Sequence, residues 1–281
     1  MWKAKLPSIE NAIGYVKTAM TYKDSSMKYD ISEQEITTLE SFYDNYELLR
    51  GVPSPEIECD NLDDLFKVAL MDTYGEVQIK GRLADLRDSL LLGSDVCPCC
   101  GISPPDELDH HLPISRYQVF AVYPRNLVPI CHKCNNKKRA ITGIDPNERF
   151  IHVYFNQLPD DKQFLFAEVE LLENSINVSI EVRFIPELSE LLFNQLQFQV
   201  RRIQLNERLS KEINIYLSSY AISLKQTFES GGLEAVQSFL RHTAEYLKVQ
   251  FGFNNWRPVL IECLSNNSAF CNGGFYGPLS L

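Results

Sequence analysis

The residues with the clearest chemistry lie between Cys97 and Cys134, where two cysteine pairs flank a short polar segment. The chain has the letters CPCC from residue 97 and CHKC from residue 131. In each pair two residues separate the thiolates, and two such pairs together fit a tetrahedral Zn²⁺ site whose four positions are all filled by protein. A closed site leaves no position for water, so the spacing predicts a structural zinc ion bound by Cys97, Cys100, Cys131 and Cys134.

Two further residues compete with this ligand set. Cys99 is a third cysteine in the first pair, although the two-residue gap favours Cys97 with Cys100. His132 could replace a cysteine, but a complete set of four makes it unnecessary. The remaining alternative is two unrelated cysteine pairs.

Between the pairs, Asp109, His110 and Asn135 combine the groups needed to hydrolyse a phosphodiester. The carboxylate and the amide oxygen suit a hard divalent ion such as Mg²⁺ or Mn²⁺. A neutral imidazole can activate water near physiological pH. An ion beside the scissile phosphate would stabilise the charge that develops on the leaving oxygen.

This part of the chain, about residues 94–143, resembles the HNH endonucleases, which have the ββα-metal fold. The similarity depends on six positions and their spacing: Asp109, His110, Pro113, Asn126, Asn135 and Lys138. Many members of the family also have a Cys-x-x-Cys pair on each side of the motif that binds structural zinc. The similar region covers less than a fifth of the chain.

The resemblance implies a role for each matched residue. His110 would be the general base, and Asp109 and Asn135 would bind the catalytic ion. Asn126 would hold the loop that carries the base. Lys138 matches a basic position often found near phosphate.

Two other residues of the segment need separate interpretations. Arg116 follows the predicted first strand and is a further candidate for contact with phosphate, although surface arginines without such a role are common. His111 leaves a second register open, in which His110 is a ligand and His111 is the base. The proline three residues after His110 favours His110 as the base.

Charge and composition describe a globular protein whose acidic character is uneven. The net charge is −10, but residues 91–150 carry +1, against −7 for residues 1–90 and −4 for residues 151–281. This balance argues against indiscriminate attraction to nucleic acid, whereas a local basic cluster in the motif could meet phosphate. No signal peptide or membrane span is recognisable, so we expect a reducing, cytoplasmic setting in which paired cysteines bind metal.

The periodicity predicts an α+β protein, mostly helical, with an embedded zinc-stabilised ββα-metal module and a small antiparallel β-meander. Four segments follow: a helical region at 1–92, the HNH module at 93–149, the meander at 150–185 and a helical region at 186–281. Helices are predicted over Ile31–Arg50, with a capping box at Ser32 and Glu35, and over Val77–Leu92. The meander has three predicted strands, FIHVYF, FLFAEVEL and INVSIEVRF, and the last region has a break at Gly231-Gly232.

The favoured function is a metal-dependent endonuclease that hydrolyses DNA. By resemblance, such proteins often belong to prokaryotic restriction or anti-phage defence systems, sometimes beside an ATPase. A homodimer or a partner protein would allow both strands to be cut. The alternatives are an HNH nuclease acting on RNA and a non-catalytic zinc-binding scaffold or nucleic-acid-binding protein.

Overall fold

The computed structural model describes residues 1–141 and 145–281. These residues form two compact units. The N-terminal unit comprises Trp2–Cys99 and Ser103–Asn156, and the C-terminal unit comprises Met1, Cys100–Ile102 and Gln157–Leu281. The predicted module at 93–149 includes residues 142–144, which lie outside the described residues.

The predicted α+β class is confirmed, because helices dominate and the described strands form two separate antiparallel pairs. The helices and strands of the N-terminal unit are α1 (Ala12–Ala19), α2 (Glu33–Leu49), α3 (Asp64–Thr73), α4 (Ala84–Leu91), β1 (Glu107–His110), β2 (Leu127–Ile130) and α5 (His132–Lys138). Those of the C-terminal unit are β3 (Leu165–Leu172), β4 (Ser175–Val182), α6 (Glu190–Arg202), α7 (Leu205–Ser218), α8 (Ala221–Phe251) and α9 (Trp256–Ser265). Within the described residues, no helix combines the length and the apolar character that crossing a membrane requires.

The start of α2 confirms the predicted capping box. The Ser32 hydroxyl accepts a hydrogen bond from the Glu35 amide, and the Glu35 carboxylate accepts one from the Ser32 amide. These two bonds satisfy backbone donors that the first helical turn leaves open. Tyr43 and Tyr46 on the buried side of α2 then pack against Phe120 and Tyr123, which lie in the segment between β1 and β2. Helix α2 therefore supports the segment that follows the predicted base.

The predicted helix over Val77–Leu92 is wrong in its first part. A short 3₁₀ turn covers Tyr74–Val77, and α4 begins only at Ala84. Between them Lys80 has a φ of 73°, a left-handed conformation that interrupts a helix. The apolar spacing across this stretch resembled a helical stripe, but the chain turns before the helix starts.

The three-stranded meander is also wrong, because β3 and β4 form a two-stranded hairpin and residues 150–155 are not a strand. Phe150, Ile151, His152 and Val153 are all buried, without the alternation of a half-exposed strand. The chain turns here instead, since the amides of Phe155 and Asn156 both donate to the His152 carbonyl. This apolar run is therefore a buried turn and not a paired strand.

The C-terminal unit is a hairpin packed on helices, and the predicted glycine break appears there as a kink. Helix α8 runs through Gly231-Gly232, but Gly232 has a φ of 65° and a ψ of −154°, which are not helical angles. Glycine adopts these angles without the steric penalty that a β-carbon imposes. The two predicted strands of the hairpin are present, and β3 pairs with β4 from Leu165↔Val182 to Leu172↔Ser175.

Candidate metal centre and catalytic site

Four cysteines form one buried cluster, with the membership that the spacing predicted. The sulfur atoms of Cys97, Cys100, Cys131 and Cys134 all lie within 4.8 Å of one another. Neither Cys99 nor His132 belongs to it. Among the described residues, this is the one group of three or more His, Cys, Asp or Glu side chains whose ligand atoms converge in this way.

The surroundings of the cluster offset negative charge on sulfur. The Cys131 amide donates to the Cys97 sulfur at 3.3 Å, and the Arg208 guanidinium donates to the Cys100 sulfur at 3.4 Å. Next to Cys100, the Gly101 carbonyl accepts hydrogen bonds from the Trp256 indole at 3.0 Å and from Arg257 at 2.9 Å. Four thiolates bound to one divalent ion carry a net charge of −2, and such donors stabilise that charge. The donor set and its surroundings therefore fit a structural metal ion.

Strand β1 presents its residues alternately to two faces. Leu108 and His110 are buried, whereas Glu107 and Asp109 lie on the opposite face and are partly exposed. The strand pairs with β2 in the register Asp109↔Val128 and His110↔Leu127, and α5 follows one residue after β2. This order of two antiparallel strands and a helix is the order that the motif implied.

The His110 side chain is held by a backbone carbonyl. Its Nε2 atom lies 2.9 Å from the Ala121 oxygen, and its ring packs edge-on against Tyr74 with centroids 4.4 Å apart. A carbonyl oxygen can only accept, so Nε2 carries the proton and Nδ1 is the basic nitrogen of the neutral ring. Burial lowers the pKa of His110 to about 4, which keeps the imidazole neutral at physiological pH. A neutral, oriented imidazole is the form that a general base requires.

Asn126 fastens the segment that follows His110. The side chain is fully buried, and its Oδ1 accepts from the Leu112 amide at 2.8 Å and from the Tyr46 hydroxyl at 3.2 Å. Its Nδ2 donates to the Leu112 carbonyl at 3.0 Å and to the Phe120 carbonyl at 3.3 Å. Asn126 thus ties the residues after β1 to the start of β2.

Asp109 and Lys138 form an ion pair inside the module. The Lys138 ammonium lies 2.6 Å from Asp109 Oδ2 and 2.7 Å from the His110 carbonyl oxygen. The lysine side chain is 7% exposed and the aspartate side chain is 18% exposed. The contact with phosphate predicted for Lys138 stays a prediction, and the structure gives this side chain two partners on β1.

Glu107 is a polar residue of this site that the sequence analysis missed. Its carboxylate accepts from Asn135 Nδ2 at 2.7 Å and contacts His132 Nδ1 at 2.6 Å. Although burial raises the pKa of Glu107, the hydrogen bonds from Asn135 and His132 outweigh it and lower that pKa. The hydrogen bond to Glu107 in turn raises the pKa of His132. Strand periodicity could have found Glu107, because it lies two residues before Asp109 and therefore on the same face.

The second histidine of the motif, His111, lies in another environment. Its ring stacks on His152 with centroids 3.9 Å apart, and burial lowers its pKa to about 3. The backbone amide of His111 donates to the Asn126 carbonyl at 2.8 Å. The carbonyl-oriented imidazole is therefore that of His110, whereas His111 packs against another buried imidazole.

Arg116, the second candidate for contact with phosphate, is paired with an acidic residue. Its guanidinium lies 2.9 Å from Glu58 Oε1, and its side chain is 45% exposed. The contact with phosphate predicted for Arg116 stays a prediction. The basic residues Lys133, Lys137 and Arg139 in and after α5 are exposed.

A comparison with known proteins found one that is similar in sequence to this chain. The protein is 26% identical to the protein Ea31 of Escherichia phage lambda over 208 residues, which span 66% of this chain and 67% of Ea31. No protein-family model matches the chain. No solved structure matches it significantly.

Proposed function

We propose that this protein is a metal-dependent endonuclease of the HNH type that hydrolyses phosphodiester bonds in DNA. The observation that carries the proposal is the arrangement of His110 beside Asp109 at the end of β1. The imidazole is neutral and oriented by the Ala121 carbonyl, and the preceding residue, Asp109, is a partly exposed carboxylate. Asn126 fixes the segment after the base, and α5 brings Asn135 against β1.

His110 would take a proton from the attacking water at Nδ1, since Nε2 is engaged by the Ala121 carbonyl. Asp109 and Asn135 would hold a Mg²⁺ or Mn²⁺ ion, which would stabilise negative charge on the leaving oxygen. The exposed lysines of α5 would meet the phosphate backbone in the least acidic segment of the chain. Each group then has one role in a hydrolytic reaction.

We assign Zn²⁺ to the four-cysteine cluster. With Zn–S bonds of about 2.3 Å, tetrahedral sulfur ligands are about 3.8 Å apart. The four sulfur atoms lie within 4.8 Å of one another, so their spacing is compatible with the ion. The ion would fix the segment before β1 to the start of α5, because the ligands come from both places. Its role is structural, since all four positions are filled by protein.

The partners are part of the same proposal. One such module would cut a single strand, so a double-strand break would use a homodimer or a partner protein, such as an ATPase. The acidic charge outside the motif favours activity that depends on a partner or a trigger, as in a restriction or anti-phage defence system.

The test is cleavage of supercoiled plasmid by the purified, zinc-loaded protein with Mg²⁺, with Mn²⁺ and with EDTA. We expect metal-dependent nicking or linearisation that His110→Ala reduces by roughly 100-fold or more, the range for loss of a general base. His111→Ala is the matched control, because it removes the neighbouring imidazole, and its cleavage rate should exceed that of His110→Ala. If His110→Ala still cleaved DNA at the wild-type rate, the assignment of His110 as the general base would be wrong.

Labelled RNA in the same assay separates the two nuclease substrates, since the chemistry at phosphate is shared. A folded, zinc-loaded protein that cuts neither nucleic acid, with or without partner proteins, would instead favour the non-catalytic scaffold. The four-cysteine cluster alone supports that second candidate, and Asp109, His110 and Asn135 have no role in it.

A further inference from the structure

The face of β1 that carries Asp109 forms two parallel contacts with α5. Glu107 and Asp109 are two residues apart on the strand, and Asn135 and Lys138 are three apart on the helix. Glu107 pairs with Asn135 at 2.7 Å, and Asp109 pairs with Lys138 at 2.6 Å. Strand and helix periodicity put both pairs on facing sides of the two elements.

The contact with Glu107 decides which way the Asn135 amide points. The Glu107 carboxylate sits beside a second hydrogen-bond partner, the imidazole of His132, at 2.6 Å. An ionised carboxylate only accepts hydrogen bonds, so the NH₂ group of Asn135 must face Glu107. The amide oxygen of Asn135 is then directed away from Glu107 and is the atom free of this contact.

We propose that Glu107 is a positioning residue, which fixes the Asn135 amide so that its oxygen is presented to the divalent ion of the active site. This inference rests on the proposed function, and it adds a residue outside the Asp–His–Asn motif. Glu107 acts through Asn135, so it need not touch the ion, the substrate or the reacting atoms. His132 keeps the carboxylate in place from the first turn of α5.

The test measures ion binding apart from cleavage. Mn²⁺ is titrated into the zinc-loaded protein and followed by electron paramagnetic resonance, for the wild type, Asp109→Ala and Glu107→Gln. Glutamine keeps the size of Glu107 but can also donate, so Asn135 loses its single preferred orientation. Loss of such an outer contact weakens metal affinity by roughly 10- to 100-fold, and we expect Glu107→Gln to weaken Mn²⁺ binding in that range.

The matched control is Glu170→Gln on the hairpin of the C-terminal unit. There Asn177 Nδ2 donates to Glu170 Oε2 at 3.4 Å, so the substitution alters the same kind of pair on an exposed surface. We expect the Mn²⁺ affinity of Glu170→Gln to equal that of the wild type. Zinc content and circular dichroism report whether each variant has folded.

A double-mutant cycle with Asn135→Ala separates positioning from direct ligation and from a general structural effect. If Glu107 acts through Asn135, Glu107→Gln will weaken Mn²⁺ binding in the wild-type background and change it little in Asn135→Ala. Additive losses, or wild-type affinity in Glu107→Gln, would overturn the inference and leave the proposed function standing. A wild-type protein with no Mn²⁺ site that Asp109→Ala removes would overturn both.

Discussion

The ammonium of Lys138 and the carboxylate of Asp109 lie 2.6 Å apart, and the same ammonium binds the His110 carbonyl at 2.7 Å. One side chain of α5 therefore contacts both residues of the Asp-His pair. Asp109 keeps a second carboxylate oxygen, which could face an ion while Oδ2 holds the lysine. The Asp109–Lys138 ion pair therefore links α5 directly to the proposed catalytic residues on β1.

Replacing Lys138 by methionine should destabilise the protein and make its stability depend on divalent ions. The substitution leaves the Asp109 carboxylate without its buried counter-ion, a loss of about 3 kcal/mol. A divalent ion at Asp109 would offset part of this loss, because it supplies positive charge at the same carboxylate. Urea unfolding with EDTA and with Mg²⁺ measures both effects.

The comparison needs a control that keeps the charge. Lys138→Arg retains a cation next to Asp109, so its stability should respond to Mg²⁺ no more than that of the wild type. If Mg²⁺ stabilised Lys138→Met and Lys138→Arg equally, the ion would not be acting at the vacated carboxylate.

Asn126→Ala should cost about 3 kcal/mol of unfolding free energy, because it leaves the Leu112 amide and carbonyl without their partner in a fully buried place. Chemical denaturation followed by circular dichroism measures this cost. Asn177→Ala provides the control, since Asn177 is exposed on β4 and its loss should change stability by less than about 0.5 kcal/mol. Equal stabilities of the two variants would show that the hydrogen bonds between Asn126 and Leu112 do not stabilise the protein.

Cysteine replacement should separate the metal ligands from their neighbour. Cys134→Ser removes one of the four clustered sulfurs, whereas Cys99→Ser removes a buried sulfur outside the cluster. Elemental analysis should find a single zinc ion per chain in the wild type and in Cys99→Ser, and far less in Cys134→Ser. Because structural zinc contributes about 10–16 kcal/mol in small modules, the variant or a strong chelator should also unfold the segment around α5. Zinc retained in Cys134→Ser but lost in Cys99→Ser would reverse the ligand assignment.

The features that the sequence predicted correctly are those that short-range spacing determines. The capping box of Ser32 and Glu35 needs only three residues of helix, and the two-residue gap selected Cys97 with Cys100 over Cys99. In both cases the local backbone brings the groups together.

The missed features depend on packing between elements. No local pattern indicates that the Lys138 side chain turns inwards to Asp109, because this depends on how α5 lies on β1. Similarly, FIHVYF has the composition of a strand, but the chain turns there and buries His152 against Tyr46. Tertiary contacts override β-propensity at such positions.

His152 should make the folded state sensitive to mild acid. The side chain is 3% exposed, its Nδ1 accepts from the Tyr154 amide at 3.3 Å, and its Nε2 lies 3.0 Å from the Tyr46 hydroxyl. Burial lowers the pKa of His152 well below its usual value, and His111, Lys138 and Arg50 lower it further. Protonation at Nδ1 would also break the bond from the Tyr154 amide.

The direction of the pH effect follows from the two states of the protein. Unfolded His152 takes up a proton near pH 6.5, whereas the folded protein resists it, so acid favours the unfolded state. The contribution of neutral His152 to the free energy of unfolding is therefore fully present above about pH 7. It falls as the pH drops below 6.5, by up to about 1.4 kcal/mol per pH unit for this one group. His152→Gln should be less stable at pH 7.5 but should lose less stability between pH 7.5 and pH 5.5 than the wild type. His242→Gln replaces an exposed histidine of α8 and should keep the wild-type pH dependence. If stability changed equally with pH in the wild type, His152→Gln and His242→Gln, His152 would not be the cause of the acid sensitivity.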